Sequence, residues 1–190
     1  MMTGKLVYVV GASGAGKDTL LSIARSRMAA FPVAFAHRYI TRPADGTGEI
    51  HIPLTTAEFA QRLERGLFAL HWDSHGYRYG VGWEIDLWLA AGLLVVVSGS
   101  RAVLTEVTRR YPGLQVVEIA ASPAVLRQRI LARGRESGPD IEERLAGAAV
   151  DLSGVEGLIV IDNGGPPDIA GNRLTEVLRA NLPDDGIGPR

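Results

Sequence analysis

A stretch of nine residues, Gly11-Ala12-Ser13-Gly14-Ala15-Gly16-Lys17-Asp18-Thr19, constrains this chain more than any other part of it. It follows an all-apolar run, Leu6-Val7-Tyr8-Val9-Val10, and precedes a helical pattern with Leu20, Leu21, Ile23 and Ala24 on one side. Strand, glycine-rich turn and helix in that order are the context of a phosphate-binding loop. Glycines let the backbone curl so that successive N–H groups point at one anion. The helix starting near Lys17 adds the positive end of its dipole. The Lys17 ammonium then reaches the β- and γ-phosphates of a nucleotide.

The loop departs from its motif in one place. Ser or Thr ordinarily follows the lysine and holds Mg2+. Here Asp18 follows it, with Thr19 next. A carboxylate beside a triphosphate is repelled unless a cation lies between them, and Mg2+ prefers oxygen ligands. Asp18 or Thr19 is expected to take the metal role.

The length of 190 residues suits one domain with a full core. A formal net charge of −1 gives no global field to recruit nucleic acid or a membrane, so anion binding must come from local clusters. The absence of cysteine excludes disulfides and thiolate metal sites. The chain passes from Met1 to Lys5 straight into a core-type strand, which gives no sign of a signal peptide. The longest apolar run, Leu89 to Val97, falls short of the ~18 residues of a spanning helix. These features predict a cytoplasmic, metal-assisted protein with a small-molecule partner, neither nucleic acid nor membrane. Oligomeric state stays open, a homodimer being one option.

Along the chain, the first helix is predicted from Lys17 to Ala30, and Val33 to Ala36 reads as a second buried strand. His37-Arg38-Tyr39-Ile40-Thr41-Arg42-Pro43 reads as an exposed basic segment at that strand's end, where open α/β sheets bind ligands. Two arginines four apart suit bidentate grips on a phosphate. Thr55 and Glu58 are spaced as a capping box opening a helix that closes at Gly66. Phe68 to Val81 interleaves aromatics, His71, His75 and Arg78 with glycines at two bends, which predicts short strands forming a small lobe. Its histidines suit structural roles as readily as catalytic ones. A helix over Trp83–Ala91 leads to a buried strand, Leu93 to Val97, and then to Ser98-Gly99-Ser100-Arg101, with Ser100 an N-cap. Val116 to Ile119 is a strand, and Ser122-Pro123 starts a helix running to Arg133. A helix from about Asp140 carries Arg144, Leu158 to Ile161 is the last strand, and a final helix spans Asp168 to Ala180. Five apolar strands alternating with helices predict an α/β fold, a five-stranded parallel sheet with helices on both faces.

These pieces together resemble the guanylate kinase branch of the P-loop kinases. The likeness rests on Gly11 to Lys17, Arg38…Thr41-Arg42-Pro43, Gly48-Glu49, the Glu58-Phe59 helix, Gly76-Tyr77-Arg78-Tyr79-Gly80, and Arg129…Arg133-Gly134-Arg135-Glu136-Ser137…Arg144. It implies a P-loop kinase domain over residues 1–182, with an acceptor-binding lobe at about 37–82, a helical lid at about 127–145 and a tail from 183. It implies ATP and Mg2+ as cofactors. The loop from Gly11 to Thr19, Arg129 and Asn163 would hold the nucleotide, Asn163 near the adenine. Arg38, Arg42 and Tyr79 would hold the acceptor. Lys17, Arg133 and Arg144 would act on the transferring phosphoryl group.

The guanine-binding acids of that branch are missing. A guanine pocket needs carboxylate acceptors, and the corresponding regions read Leu70-His71-Trp72 and Ser98-Gly99-Ser100-Arg101. A site without those partners discriminates poorly for guanine. A pocket of His71, Arg78, Ser98, Ser100 and Arg101 suits a second anion better than a base. With Gly-Lys-Asp in the loop, these features resemble the ribose 1,5-bisphosphate phosphokinases of phosphonate metabolism. That likeness implies transfer of the ATP γ-phosphoryl group to the 1-phosphate of the sugar. The alternatives are a nucleoside monophosphate kinase with an altered base pocket, a non-catalytic guanylate-kinase-like binding module, and a sugar kinase using Asp73 as a base.

Overall fold

A computed structural model describes residues 4–43, 51–133 and 151–183. The elements in order are β1 (Lys5–Val10), α1 (Lys17–Arg27), β2 (Val33–Phe35), β3 (Arg38–Ile40), β4 (His51–Pro53), α2 (Thr56–Glu64), β5 (Phe68–Ser74) and β6 (Tyr77–Gly82). Then follow α3 (Glu84–Ala90), β7 (Leu94–Ser98), α4 (Leu104–Arg110), β8 (Gln115–Ala120), α5 (Pro123–Arg133), β9 (Ile159–Asp162) and α6 (Pro167–Ala180). A short 3-10 turn, Arg101–Val103, leads into α4.

The fold is α/β. Five strands form an all-parallel sheet in the order β2-β7-β1-β8-β9. Its central strand is buried from Leu6 to Val10 because both faces are covered. Leu6, Tyr8 and Val10 enter one core layer with Val95, Val97 and Val116. Val7 and Val9 enter the opposite layer with Leu20, Ala24, Leu174 and Leu178 of α1 and α6. Each such Val or Leu side chain contributes about 1.5–3 kcal/mol by leaving water.

A second sheet, β4-β3-β6-β5, forms the lobe that follows β2. Its hairpin turns at His75 (φ 50°) and Gly76 (φ 74°), two positive angles that match strand twist. The middle of the expected basic segment over 37–43, Arg38–Ile40, is an interior strand of this lobe, β3, next to the edge strand β4. Ile40 is fully buried, and Arg38 and Tyr39 pair with Val81 and Gly80 of β6. The β-forming pair Tyr39-Ile40 gains a partner strand, so the middle of the segment is covered rather than exposed. The first helix stops at Arg27 rather than Ala30, capped by the buried Met28, whose N–H donates to the Ala24 carbonyl.

The predicted N-caps form. Thr55 accepts from the Glu58 N–H at 3.1 Å, and Ser100 accepts from the Ala102 N–H at 3.2 Å. The reciprocal half of the expected capping box does not, because the Glu58 carboxylate accepts from Arg62 at 2.9 Å instead. The expected helix from Asp140, Gly48-Glu49, and the lid and tail beyond residues 133 and 183 lie outside the described residues. Among the described residues, no helix is long and apolar enough to cross a membrane.

Candidate active site

A parallel sheet brings all its carboxyl ends to one edge. There the glycine loop leaves β1 at the centre of the sheet. Gly99-Ser100-Arg101 leave β7, and the lobe leaves β2, on one side of it. Ser122 after β8 and Asn163 after β9 lie on the other side. The topology therefore sets the loop between two walls, at the place where such sheets bind ligands.

The loop is held by its own side of the sheet. Asn163, 2 % exposed, donates from Nδ2 to the Ala15 carbonyl at 2.7 Å. Arg129 of α5 donates to the Asn163 carbonyl at 2.8 Å. Gly16 has φ 89°, and a Cβ there would collide with Asn163 Nδ2. Lys17 donates from Nζ to the carbonyls of Gly11 at 2.7 Å and Ala12 at 3.3 Å, so the ammonium curls back over the loop's entrance. The second terminal guanidinium nitrogen of Arg129, Nη1, is buried without a hydrogen-bond partner among the described residues and lies beside Gly16. A loop of this shape, with a cation at its mouth and an unsatisfied donor at its flank, is suited to an anion.

The opposite wall begins at the next residue. Asp18 Oδ1 accepts from Arg38 Nη2 at 2.7 Å, joining the first turn of α1 to the first residue of β3. Arg38 is also close enough to Tyr8 to pull its phenol toward ionisation, while burial, the larger effect, pushes the phenol well above its ordinary value. The Tyr8 hydroxyl accepts from the Ser100 N–H at 2.9 Å and donates to the Ser100 carbonyl at 3.1 Å. Gly99 makes this possible, because a Cβ there would collide with the Tyr8 ring. One buried tyrosine thus fixes the turn after β7 beside Arg38.

The other candidates divide. Tyr79 lies on the same face of the lobe sheet as Arg38 and Ile40, stacked on Trp72 with ring centroids 5.5 Å apart. Arg42 lies past β3 with its guanidinium 5.9 Å from the Tyr77 ring centroid. His71 is exposed and, by strand alternation, on the face opposite Arg38, as is Arg78, whose guanidinium lies over Phe59. The structure therefore does not bring His71 and Arg78 together with the serines. Ser98 pairs in register with Val9 and so falls on the α1 face of the sheet, 7 % exposed, its hydroxyl without a partner among the described residues. Arg101 is turned inward to Glu118 of β8 at 3.7 Å with 9 % of its side chain exposed, and burial pulls its pKa down. Asp73 lies 3.5 Å from Arg78 on the same outer face. Ser13 is half-buried and Thr19 is exposed. The side chain of Arg133 and all of Arg144 lie outside the described residues.

Tyr8 and Glu118 were not among the sequence candidates. Both sit in strands whose patterns read as core, and only the register shows what their polar ends meet. The position of His71 was legible, since Leu70-His71-Trp72 alternates apolar and polar.

No family model matches the chain. Curated relatives match it nearly end to end. The ribose 1,5-bisphosphate phosphokinase PhnN of Thiobacillus denitrificans is 52% identical over 179 residues, 94% of each chain. That of Burkholderia pseudomallei is 53% identical over 180 residues, 94% of this chain and 97% of the relative. That of Desulfomicrobium baculatum is 50% identical over 175 residues, 92% of this chain and 94% of the relative. Among solved structures, a guanylate kinase from Anaplasma phagocytophilum superposes with a TM-score of 0.71 at 19% identity, covering 96% of this chain and 88% of that one. A sugar kinase from a Janibacter species superposes with a TM-score of 0.56 at 20% identity, covering 95% and 96%. These two likenesses concern the fold.

Proposed function

The chain belongs to the ribose 1,5-bisphosphate phosphokinase family, and we propose from that premise that it moves the γ-phosphoryl group of ATP to the 1-phosphate of ribose 1,5-bisphosphate. The products are 5-phospho-α-D-ribose 1-diphosphate and ADP. We place the reaction in the cytoplasm, with a small phosphorylated substrate as the partner. The observation that carries this reading is the juxtaposition of a lysine-bearing glycine loop and a lobe arginine across one 2.7 Å ion pair. Such an arrangement faces one phosphate site with another.

The attacking atom is an oxygen of the acceptor's 1-phosphate, already ionised near neutral pH. A P–O bond forms between it and the γ-phosphorus, and the bond from that phosphorus to the β–γ bridging oxygen breaks. The electron pair leaves with ADP, so the chain needs no strong base. What remains is positioning and charge stabilisation. The loop N–H groups from Gly11 to Gly16, Lys17 and Arg129 hold the nucleotide phosphates. Arg38, with Arg42 and Tyr79 nearby on the lobe, takes the acceptor, and Tyr8 keeps the Ser100 turn in place.

Residues present also suit Mg2+. Asp18 is directly after Lys17, and its second oxygen, Oδ2, has no protein partner among the described residues. Among the described residues there is no group of three or more His, Cys, Asp or Glu that would hold a metal without the phosphates' help. Asp18, with Thr19 as the adjoining hydroxyl, would therefore share the ion with the nucleotide. Bound there, Mg2+ would neutralise phosphate charge. We assign Arg133 and Arg144 to a lid over 127–145 that excludes water during transfer.

An acceptor panel tests the reading. With Mg-ATP, ADP release should be fastest with ribose 1,5-bisphosphate, against GMP and ribose 5-phosphate. Faster turnover of GMP would replace the reading with a nucleoside monophosphate kinase. Failure to bind ATP by calorimetry would replace it with a binding module.

A further inference from the structure

We infer that Asp18 couples the two substrate sites, holding the acceptor site weak until a divalent cation and nucleotide occupy the loop; this rests on the reading above. Asp18 stands where the motif has a hydroxyl. A hydroxyl presents one neutral oxygen, whereas a carboxylate presents two oxygens and a charge. One of those oxygens, Oδ1, is on Arg38 at 2.7 Å. Arg38 is shielded, with 11 % of its side chain exposed, so water screens the pair weakly. Asp18 is 35 % exposed, and Oδ2 is unpartnered among the described residues.

The sign of the coupling follows from charge. In the empty protein the Asp18 carboxylate offsets guanidinium charge at Arg38, so an arriving acceptor phosphate meets a weakened positive field with a negative group beside it. A cation on Oδ2 cancels the Asp18 charge and makes the field at Arg38 more positive by that amount. The acceptor dianion is then attracted more strongly. The argument is the same whether the 2.7 Å contact persists or breaks. Because linkage is reciprocal, the acceptor in turn strengthens binding of the Mg-nucleotide by the same factor. Asp18 is thus a positioning residue acting through Arg38, and it disfavours acceptor capture at a site with no donor.

The test is calorimetric titration of ribose 1,5-bisphosphate into the full-length protein, once with EDTA and once with saturating Mg-ADP. The wild type should bind the sugar at least ~5-fold more tightly with Mg-ADP. Asp18→Asn should bind it more tightly than wild type in EDTA, and the enhancement by Mg-ADP should fall below about twofold. Asp18→Ser, which restores a hydroxyl for the metal, should behave like Asp18→Asn in EDTA. An Asp18→Asn protein that keeps the wild-type enhancement, or binds the sugar more weakly than wild type in EDTA, overturns the inference. So does a wild type with no enhancement. The same titrations with inorganic phosphate read the coupling through Arg38 alone. A wild type that ignores the sugar yet shows the coupling with phosphate would overturn the substrate assignment and leave the coupling standing.

Discussion

Asn163 Nδ2 meets the Ala15 carbonyl at 2.7 Å across 148 positions of sequence, and it does so in the space left by the missing side chain of Gly16. The last strand of the sheet thereby sets the curvature of a loop that begins after the first. Asn163→Ala leaves that buried carbonyl unpaired, at a cost of about 1–3 kcal/mol. We expect KM for ATP to rise about tenfold through loss of loop geometry, with the acceptor KM nearly unchanged. Gly16→Ala adds a left-handed backbone penalty to a collision with Asn163, and should destabilise by more than ~2 kcal/mol in urea unfolding.

Lys17→Ala removes the cation at the loop's entrance, and with it the contacts to the Gly11 and Ala12 carbonyls. Transition-state charge lost in this way typically costs 10²-fold or more, so kcat should fall by at least ~100-fold. The melting temperature should stay within a few degrees of wild type, since no core side chain is touched. A folded Lys17→Ala protein with wild-type turnover would remove the loop from the mechanism.

Tyr8 joins β1 to the turn after β7 through the backbone N–H and carbonyl of Ser100. Tyr8→Phe keeps the ring and orphans that N–H and carbonyl, which should cost about 1–3 kcal/mol. The acceptor KM should rise more than the ATP KM, because the Ser100 turn lies on the lobe side of the loop. Gly99→Ala drives a methyl group into the Tyr8 ring and should be the more damaging of the two. Equal changes in both KM values for Tyr8→Phe would assign the tyrosine to the core alone.

Alkaline pH should loosen the fold. Burial, with a 2.6 Å hydrogen bond to Asp86, pushes the Tyr111 phenol up to about 12 from an ordinary value of 10.0. Burial likewise raises Tyr8 and Tyr39. The folded protein keeps these protons at pH values where the unfolded chain has lost them. Stability from these groups is therefore whole below about pH 10 and declines as pH rises from there through about 12. Urea midpoints measured from pH 9 to 12 should fall, and Tyr111→Phe should flatten the slope. A midpoint that rises over this range would contradict the assignment.

Much of the architecture was legible because local signals carry it. Continuous apolar runs marked β1 and β7, capping residues marked α2 and the turn before α4, and the glycine spacing marked the loop. The site was legible only as residue types near strand ends. Arg38, Lys17 and Asn163 do gather at that edge. Which side chains meet was hidden, because Asp18–Arg38, Tyr8–Ser100 and Asn163–Ala15 are contacts made by sheet order and not by neighbouring sequence. Arg101 shows the same limit. It reads as a free cation after a strand, yet parallel pairing brings Glu118 of β8 beneath it. His71 erred for a simpler reason: a strand's alternation decides its face, and the alternation was outweighed by residue type.

The central claim is that phosphorus moves from ATP onto a phosphate of the sugar. Phosphorus NMR of a reaction started with Mg-ATP and ribose 1,5-bisphosphate reads this directly. The account predicts loss of the sugar's 1-phosphate signal and growth of a coupled diphosphate pair attached to carbon 1, in step with ADP. A 1-phosphate signal that persists while ADP and inorganic phosphate accumulate would contradict it.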